Sequence, residues 1–160
     1  MITVDYLADH SDAVPALAVW FKREWAQHFS STSLGQIEAT FNGRRNRDEL
    51  PICLVAFQDA TLCGTATLAY EPIDSHRDLS PWLCGLYVEP QARRRGVGAA
   101  LCERLAAEAR RLGFSEIFAG TESARSLLAR LGWRELDRTV YHGESLAIMR
   151  LPLGVLAGHR

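Results

Sequence analysis

The chain of 160 residues has no hydrophobic run long enough to cross a bilayer and no apolar leader at its start, which reads MITVDYLADH. A membrane-spanning helix needs about 20 consecutive apolar residues, and a secretory signal needs a continuous apolar core. The sequence therefore predicts a cytoplasmic protein without a membrane partner.

Neither sign of charge is in excess. Lys and Arg number 18 and Asp and Glu number 19, so the formal net charge is −1. A protein that binds the phosphate backbone of a nucleic acid usually carries a clear basic excess. Nucleic acid is therefore not expected as a partner, and any positive patch must be local.

The cysteines lack the spacing of metal ligands. The four of them stand in apolar or helical contexts without a C-x-x-C pair: Cys53, Cys63, Cys84 and Cys102. Structural zinc sites use closely spaced ligand pairs, and disulfides are rare in a reducing compartment. We therefore expect reduced thiols in the core and no metal site.

The composition is that of an ordinary globular domain, with 48% hydrophobic and 23% charged residues. Hydrophobic periodicity predicts the order strand, two helices, three strands, helix, strand, helix and two strands. Neither an internal repeat nor a linker is visible. The sequence thus predicts one α/β domain over residues 1–160, with a mixed sheet and one parallel crossover through the central helix.

Two helix starts can be read from local signals. Apolar residues at helical spacing predict a first helix over residues 11–29, with Ser11 or Asp12 as its N-cap. Ser33 and Gln36 have the spacing of a capping box, which predicts a second, short helix directly after it.

The most informative stretch is LYVEPQARRRGVGAAL, residues 86–101, in which a strand pattern leads through three arginines and a Gly-x-Gly into a helix. Glycine allows positive φ and lets another molecule approach the main chain closely. Backbone N–H groups at a turn and at a helix N-terminus together bind anions. The stretch therefore predicts a phosphate-binding site.

Two common nucleotide motifs do not fit this stretch. The Walker pattern G-x-x-x-x-G-K-[ST] is absent from the chain. The dinucleotide fingerprint would need a third glycine where Leu101 stands and an acidic residue near Ala119 or Gly120. The phosphate group therefore belongs to another class of ligand.

Residues 93–98, RRRGVG, closely resemble the acetyl-CoA-binding motif [RQ]-x-x-G-x-[GA] of the GNAT superfamily of N-acetyltransferases. The preceding LYVEP is similar to that family's lead-in, and ARSLLARLGW, residues 124–133, is similar to its A-x-x-F-Y-x-x-L-G-[FW] helix. The resemblance covers nearly the whole chain. It implies a GNAT-like mixed sheet flanked by helices, with a β-bulge strand and a phosphate-binding loop before the central helix.

The resemblance implies acetyl-CoA as co-substrate, held by two adjoining segments. The main chain of the bulge strand would pair with the pantetheine arm, and the loop backbone would bind the pyrophosphate. The arginine side chains would meet the 3′-phosphate, unless they are merely a solvated run of charge. The implied cofactor-binding residues are Leu86, Tyr87, Val88, Arg93, Arg94, Arg95, Gly96, Val97, Gly98 and Ala99.

Two positions depart from the family pattern. The tyrosine that often serves as the acid falls at Leu128, and the glutamate base of several relatives falls at Cys84. Asp78 is the predicted base instead. It is the favoured member of a polar group on or just after the third strand of the sheet: Glu71, Asp74, His76 and Asp78.

Aromatic residues provide further candidates for the acceptor site. Tyr141, in the final strand turn VYHGE, is expected either to hold the acceptor or to supply the missing acid. Trp20 lies off the apolar stripe of the first helix and is expected in the wall of the acceptor site, whereas Trp25 lies on that stripe and is expected in the core.

The resemblance implies an acetyl-CoA-dependent N-acetyltransferase that passes the acetyl group directly from the thioester to a primary amine. Both a small-molecule amine and a peptide or protein amine fit as acceptor, and a homodimer is left open. Leu128 and Cys84 keep one alternative in view, a non-catalytic module that binds acyl-CoA as a sensor.

Overall fold

Seven strands pair into one mixed sheet in the computed structural model, which describes residues 1–70 and 73–154. Their order in the sheet is β1-β2-β3-β4-β5-β7-β6, and only the β4–β5 pair is parallel. The strands are β1 (Ile2–Tyr6), β2 (Ile52–Gln58), β3 (Thr61–Ala69), β4 (Trp82–Val88), β5 (Glu116–Thr121), β6 (Arg134–Tyr141) and β7 (Glu144–Pro152).

The α-helices of the described residues cover both faces of the sheet. They are α1 (Val14–Glu24), α2 (Leu34–Asn42), α3 (Val97–Arg111) and α4 (Arg125–Arg130). On β2, Cys53 and Val55 pack with α1 and α2, whereas Leu54 packs with α3 on the opposite face. This alternation is the period-2 pattern of a strand buried on both faces. The mixed α/β fold predicted from the sequence is confirmed, and none of these helices is long and apolar enough to cross a membrane.

The first helix is shorter than the sequence predicts. It ends at Glu24 instead of continuing to Phe29, because Trp25 leaves the helical region with φ −116° and ψ 52°. Its N-cap is Ala13, which makes no side-chain capping bond. The capping box of the second helix is confirmed: Gln36 N donates to Ser33 Oγ at 3.1 Å, and Ser33 N donates to Gln36 Oε1 at 2.8 Å.

The parallel pair β4–β5 separates soon after it begins. The ladder joins Trp82 to Phe118, and Phe118 N also donates to Pro81 O at 2.9 Å. No further pairing of the two strands is present among the described residues. The rest of β4 therefore has one main-chain edge facing a gap in the middle of the sheet.

A buried carboxylate ties the first strand to the central helix. Glu108 on α3 is 5% exposed and accepts hydrogen bonds from Tyr6 Oη at 2.8 Å, Arg104 Nε at 3.1 Å and Arg111 NH2 at 2.8 Å. Burial alone would raise the pKa of this carboxyl, but the three donors outweigh it and hold the pKa below its usual value. The charged form of Glu108 is therefore favoured in the folded protein.

We expect Glu108→Gln to lower the free energy of unfolding by about 1–3 kcal/mol at neutral pH, because three donors lose a charged acceptor. A carboxyl whose pKa is lowered on folding stabilises the protein above its unfolded pKa, and this contribution disappears as the pH falls through its folded pKa. The difference in the free energy of unfolding between the parent protein and the variant should therefore become smaller as the pH is lowered. Urea unfolding at several pH values measures it.

Glu103→Gln serves as the control, because Glu103 is exposed on the same helix. Equal stability of the two variants at neutral pH would contradict the role given to the buried cluster.

Candidate active site

A β-bulge turns the middle of β4 towards the gap between β4 and β5. Thr65 pairs with Tyr87 and Thr67 with Cys84, so β4 has one more residue than β3 between these pairs. Gly85 takes up the extra residue with φ +58°, a conformation that other residues rarely adopt. The bulge strand expected from the family resemblance is present in the structure.

The main chain of Val88 faces the gap. Glu89 N donates to Cys63 O at 2.8 Å, and Gly64 and Val88 form the next pair of the ladder. Bonded and non-bonded pairs alternate in an antiparallel ladder, so the N–H and C=O of Val88 point away from β3. In agreement, Arg93 Nε reaches Val88 O from that side, at 2.8 Å.

The loop after β4 enters α3 through two left-handed residues, Arg94 with φ +64° and Gly96 with φ +88°. Ala100 N donates to Gly96 O at 3.0 Å, which is the first bond of the helix. The N–H groups of residues 97–99 therefore lie at the open, positive end of α3. N–H groups arranged in this way can bind an anion, and the phosphate site predicted from RRRGVG stays a prediction.

The three arginines of this loop differ in their surroundings. Arg93 folds back over β4, with its guanidinium 5.7 Å from the Tyr87 ring centre and 4.0 Å from Glu24 Oε1. Arg94 and Arg95 are exposed, and no acidic side chain of the described residues pairs with either. The last two are therefore the arginines available to an external phosphate.

A polar cluster joins α1 to the end of β4. Arg23 NH2 donates to Tyr87 Oη and to Glu89 Oε2, both at 2.7 Å, and Tyr87 Oη donates to Glu89 Oε2 at 2.8 Å. Burial raises the pKa of the Tyr87 phenol, and the hydrogen bond to Glu89 adds to this. The Tyr87 hydroxyl thus keeps its proton and fixes the strand that borders the gap.

The gap opens into a cavity of about 840 Å³. Its walls come from the end of α1 and the turn after it, from β4 and β5, and from the β6–β7 turn. None of the described residues that line it is lysine or arginine. They are Phe21, Glu24, Trp25, Ala26, Gln27, His28, Phe29, Ile73, Trp82, Leu83, Cys84, Gly85, Gly120, Tyr141, His142, Glu144 and Leu146.

Two segments meet across the mouth of this cavity. His28, in the turn after α1, lies 5.1 Å from His142 in the β6–β7 turn, measured between ring centres. The Tyr141 ring lies 4.2 Å from that of His142. Lys22 Nζ donates to the carbonyls of Phe29 and Thr32 and so holds the turn after α1 in place.

The two residues predicted for catalysis lie in different places. Tyr141 lines the cavity and is 38% exposed. Asp78 is exposed in the β3–β4 connection and is not among the lining residues. Of its predicted neighbours, Asp74 pairs with Arg77 at 3.0 Å, while Glu71 lies outside the described residues. The structure therefore brings Tyr141, but not Asp78, to the cavity.

Trp20, expected in the wall of the acceptor site, and Trp25, expected in the core, have exchanged places in the structure. Trp25 lines the cavity, whereas Trp20 is buried against Tyr87 with 5.4 Å between ring centres. The prediction for Trp20 was wrong because the buried face of α1 is wider than the stripe read from the sequence and includes Trp20. The prediction for Trp25 was wrong because the helix ends at Glu24, and Trp25 begins the turn that lines the cavity. Leu128 is fully buried in the core below the sheet and takes no part in the cavity wall.

Sequence reasoning missed four polar residues of the cavity: Glu24, Gln27, His28 and Glu144. Glu24, Gln27 and His28 all fall inside the helix predicted over residues 11–29, which the structure ends at Glu24. Glu144 stands two residues after His142 in the VYHGE turn, so its place beside Tyr141 was the one available signal.

A model of the acetyltransferase (GNAT) family matches residues 14–133, which include the bulge strand, the anion-binding loop and most of the cavity wall from α1 to β5. The chain belongs to the GNAT acetyltransferase family. The family resemblance and the enzyme class predicted from the sequence, an acetyl-CoA-dependent N-acetyltransferase, are thereby confirmed.

Solved structures at low sequence identity share the fold of this GNAT acetyltransferase. A protein from Salmonella typhimurium, described as an acetyltransferase and solved with its cofactor acetyl-CoA, is 21% identical over 98% of this chain and 96% of its own, with a TM-score of 0.71. The ribosomal-protein-S18-alanine N-acetyltransferase from Escherichia coli is 21% identical over 100% of this chain and 99% of its own, with a TM-score of 0.66. An aminoglycoside 6′-N-acetyltransferase complexed with coenzyme A is 14% identical over 96% of this chain and 98% of its own, with a TM-score of 0.73. A search of curated proteins found no match.

In this GNAT acetyltransferase the β3–β4 connection is fastened to the edge strand β6. His76 Nε2 lies 2.9 Å from Asp137 Oδ2, and Thr139 Oγ1 donates to Ser75 Oγ at 2.9 Å. The hydrogen bond with His76 is the main reason that the pKa of Asp137 lies below its usual value. These contacts lie outside the cavity and hold the loop that contributes to its wall.

The same loop inserts Ile73 into the wall opposite α1. A Cβ on Gly120 of β5 would lie 2.3 Å from Ile73 Cδ1, so the missing side chain of Gly120 makes room for Ile73. The apolar side of the cavity therefore depends on a glycine in one strand and a loop fastened to another.

We expect Gly85→Ala to destabilise this acetyltransferase. The left-handed φ of Gly85 costs another residue roughly 1–2 kcal/mol. An added Cβ would also lie 2.8 Å from Phe21 Cζ, and such crowding costs about 1–3 kcal/mol. The midpoint of chemical denaturation measures the loss.

Gly35→Ala is the matched control, because Gly35 lies in α2 and its nearest neighbour to an added Cβ is Ser33 Oγ at 3.9 Å. It should leave the stability unchanged or raise it. A Gly85→Ala protein as stable as this control would contradict the tight contact between the bulge and Phe21.

Proposed function

We propose that the chain transfers the acetyl group of acetyl-CoA directly to a primary amine bound in the cavity. One observation carries this proposal: β4 contributes to both sites. Gly85 lines the cavity, and Val88, three residues further on, presents its main chain to the gap beside the anion-binding loop. A thioester lying along β4 would therefore reach from the loop to the acceptor.

For the coenzyme, we propose that the pyrophosphate is bound by the N–H groups at the start of α3. Gly96, Val97, Gly98 and Ala99 provide this backbone, and the side chains of Arg94 and Arg95 face solvent beside it. The pantetheine arm would pair with Leu86 to Val88. Arg93 differs from its neighbours because its side chain is engaged with β4.

The reaction needs a neutral amine and a leaving thiolate. The amine nitrogen attacks the thioester carbonyl carbon, the C–S bond breaks, and coenzyme A leaves as a thiolate that takes up a proton. The ammonium form of the acceptor must lose one proton before attack, and the positively charged nitrogen of the tetrahedral adduct loses the second as the amide forms. We propose that Glu144, which lines the cavity beside Tyr141, accepts these protons one after the other and releases the first to solvent before it takes the second. We propose Tyr141 as the donor to the thiolate, after which its phenolate regains a proton from solvent.

The sensor alternative receives no support from this arrangement, because a module that only binds coenzyme has no need of an acceptor cavity next to the thioester position. A homodimer and a cytoplasmic location stay predictions.

We expect Gly96→Glu to weaken acetyl-CoA binding by at least about tenfold, because it places a side chain and a negative charge at the pyrophosphate position. Isothermal titration calorimetry measures the affinity. Gly113→Glu is the control. Gly113 lies at the other end of α3, has a similar φ of +92°, and has nothing within 4 Å of an added Cβ. Equal affinities of both variants for acetyl-CoA would contradict the proposal that the pyrophosphate binds at the loop before α3.

We expect Glu144→Gln to lower kcat/KM at pH 7 by about a hundredfold if Glu144 accepts the proton. Asp78→Asn removes the same charge at the residue predicted from the sequence, outside the cavity wall. Thiol release against pH compares the two. A loss confined to Asp78→Asn would show that the base is Asp78 and that Glu144 is wrongly assigned.

A further inference from the structure

Carboxylates and two histidines, which ionise with opposite sign, are the groups that matter for the charge of the cavity among its described lining residues. Glu24 and Glu144 are its carboxylates, and no lysine or arginine lines it in the part of the chain that the structure describes. Glu24 Oε1 forms an ion pair with the guanidinium of Arg93 at 4.0 Å, whereas Glu144 has no ion pair among the described residues. An acceptor arriving as an ammonium ion would meet attraction from these carboxylates. The number of carboxylates is small, which fits a ligand with one positive charge better than a ligand with several.

Aromatic rings occupy the α1 side of the cavity. Phe21 and Trp25 meet edge to face at 4.8 Å between ring centres, and Phe29 lies 6.4 Å from Phe21. Ring faces attract cations and bury apolar groups. Trp25 and Phe29 are only half-buried, so part of each ring remains open to a ligand.

The opposite wall is apolar as well. Ile73 and Leu146 line the cavity there, beside Gly120. A volume of about 840 Å³ exceeds what the acetyl end of the coenzyme needs and leaves space for a bulky acceptor. Both walls would therefore contact the body of the acceptor while the carboxylates contact its ammonium group.

We infer that the acceptor is a monoamine with an aromatic or bulky apolar body, held between the rings of Trp25 and Phe29 and the wall of Ile73 and Leu146. This inference rests on the proposed function and specifies its substrate class. The amine belongs either to a free small molecule or to the N-terminus of a peptide that begins with such a residue, and the experiment distinguishes these sources.

The test is acetyl-CoA-dependent thiol release with four acceptors: 2-phenylethylamine, ethanolamine, spermidine and a pentapeptide with N-terminal phenylalanine. We expect kcat/KM for at least one phenyl acceptor to exceed that for ethanolamine by about tenfold to a hundredfold, because ethanolamine lacks the apolar body. Spermidine should also be poorer. Preference for the free amine or for the peptide identifies the source.

Phe29→Leu tests the ring contact without opening the core. We expect it to lower the ratio of phenyl acceptor to ethanolamine by about threefold or more, since a ring–ring or ring–cation contact is lost. Tyr70→Leu is the control, because Tyr70 is an aromatic residue 58% exposed outside the cavity wall. It should leave the ratio unchanged.

Three results would overturn the inference: spermidine or ethanolamine as the best acceptor, an unchanged ratio in Phe29→Leu, or no turnover with either phenyl acceptor. Calorimetric titration with acetyl-CoA separates this failure from that of the proposed function. If acetyl-CoA binds and another amine is acetylated, only the acceptor class is wrong. If acetyl-CoA does not bind and no amine is acetylated, the proposed function fails too.

Discussion

The early separation of β4 from β5 is the constraint on which the site depends. Parallel neighbours in a sheet normally continue to pair, because unpaired main-chain groups inside a protein are costly. Here pairing is recorded at Trp82 and Phe118, and the strands then part. The bulge at Gly85 re-aims β4, and the α3 start lies at the end of the gap. An edge strand has thus been created in the middle of a sheet, where a ligand can take the place of the missing neighbour.

The surrounding packing keeps the gap open. Phe21 packs against Gly85 from one side, while Ile73 fills the space left by Gly120 on the other. The cluster of Arg23, Tyr87 and Glu89 fastens α1 to the end of β4. These contacts lie on both strands that border the gap, so neither strand is free to close it.

Much of the fold could be predicted from the sequence, because its signals are local. The capping box of Ser33 and Gln36, the strand turn at His142, and the loop RRRGVG each depend on a few adjacent residues. The acceptor cavity could not be predicted in this way. Its polar residues come from the ends of distant elements, and Trp25 changes its role because the helix ends one residue before it. Periodicity shows which face a helix buries, but it does not show where the helix ends when no local stop signal is present.

The contact of Arg93 with Val88 has a consequence for how the coenzyme would bind. The carbonyl that faces the gap already accepts a hydrogen bond from within the chain. A pantetheine amide that takes this position replaces one hydrogen bond with another, and such an exchange contributes little net free energy. In the proposed binding mode, the phosphate groups would meet N–H groups at the open end of α3 that make no bond within the helix, so those contacts would contribute more. If the coenzyme binds as proposed, most of its binding energy would come from the nucleotide end, and the pantetheine arm would have to displace the guanidinium of Arg93 from Val88 O.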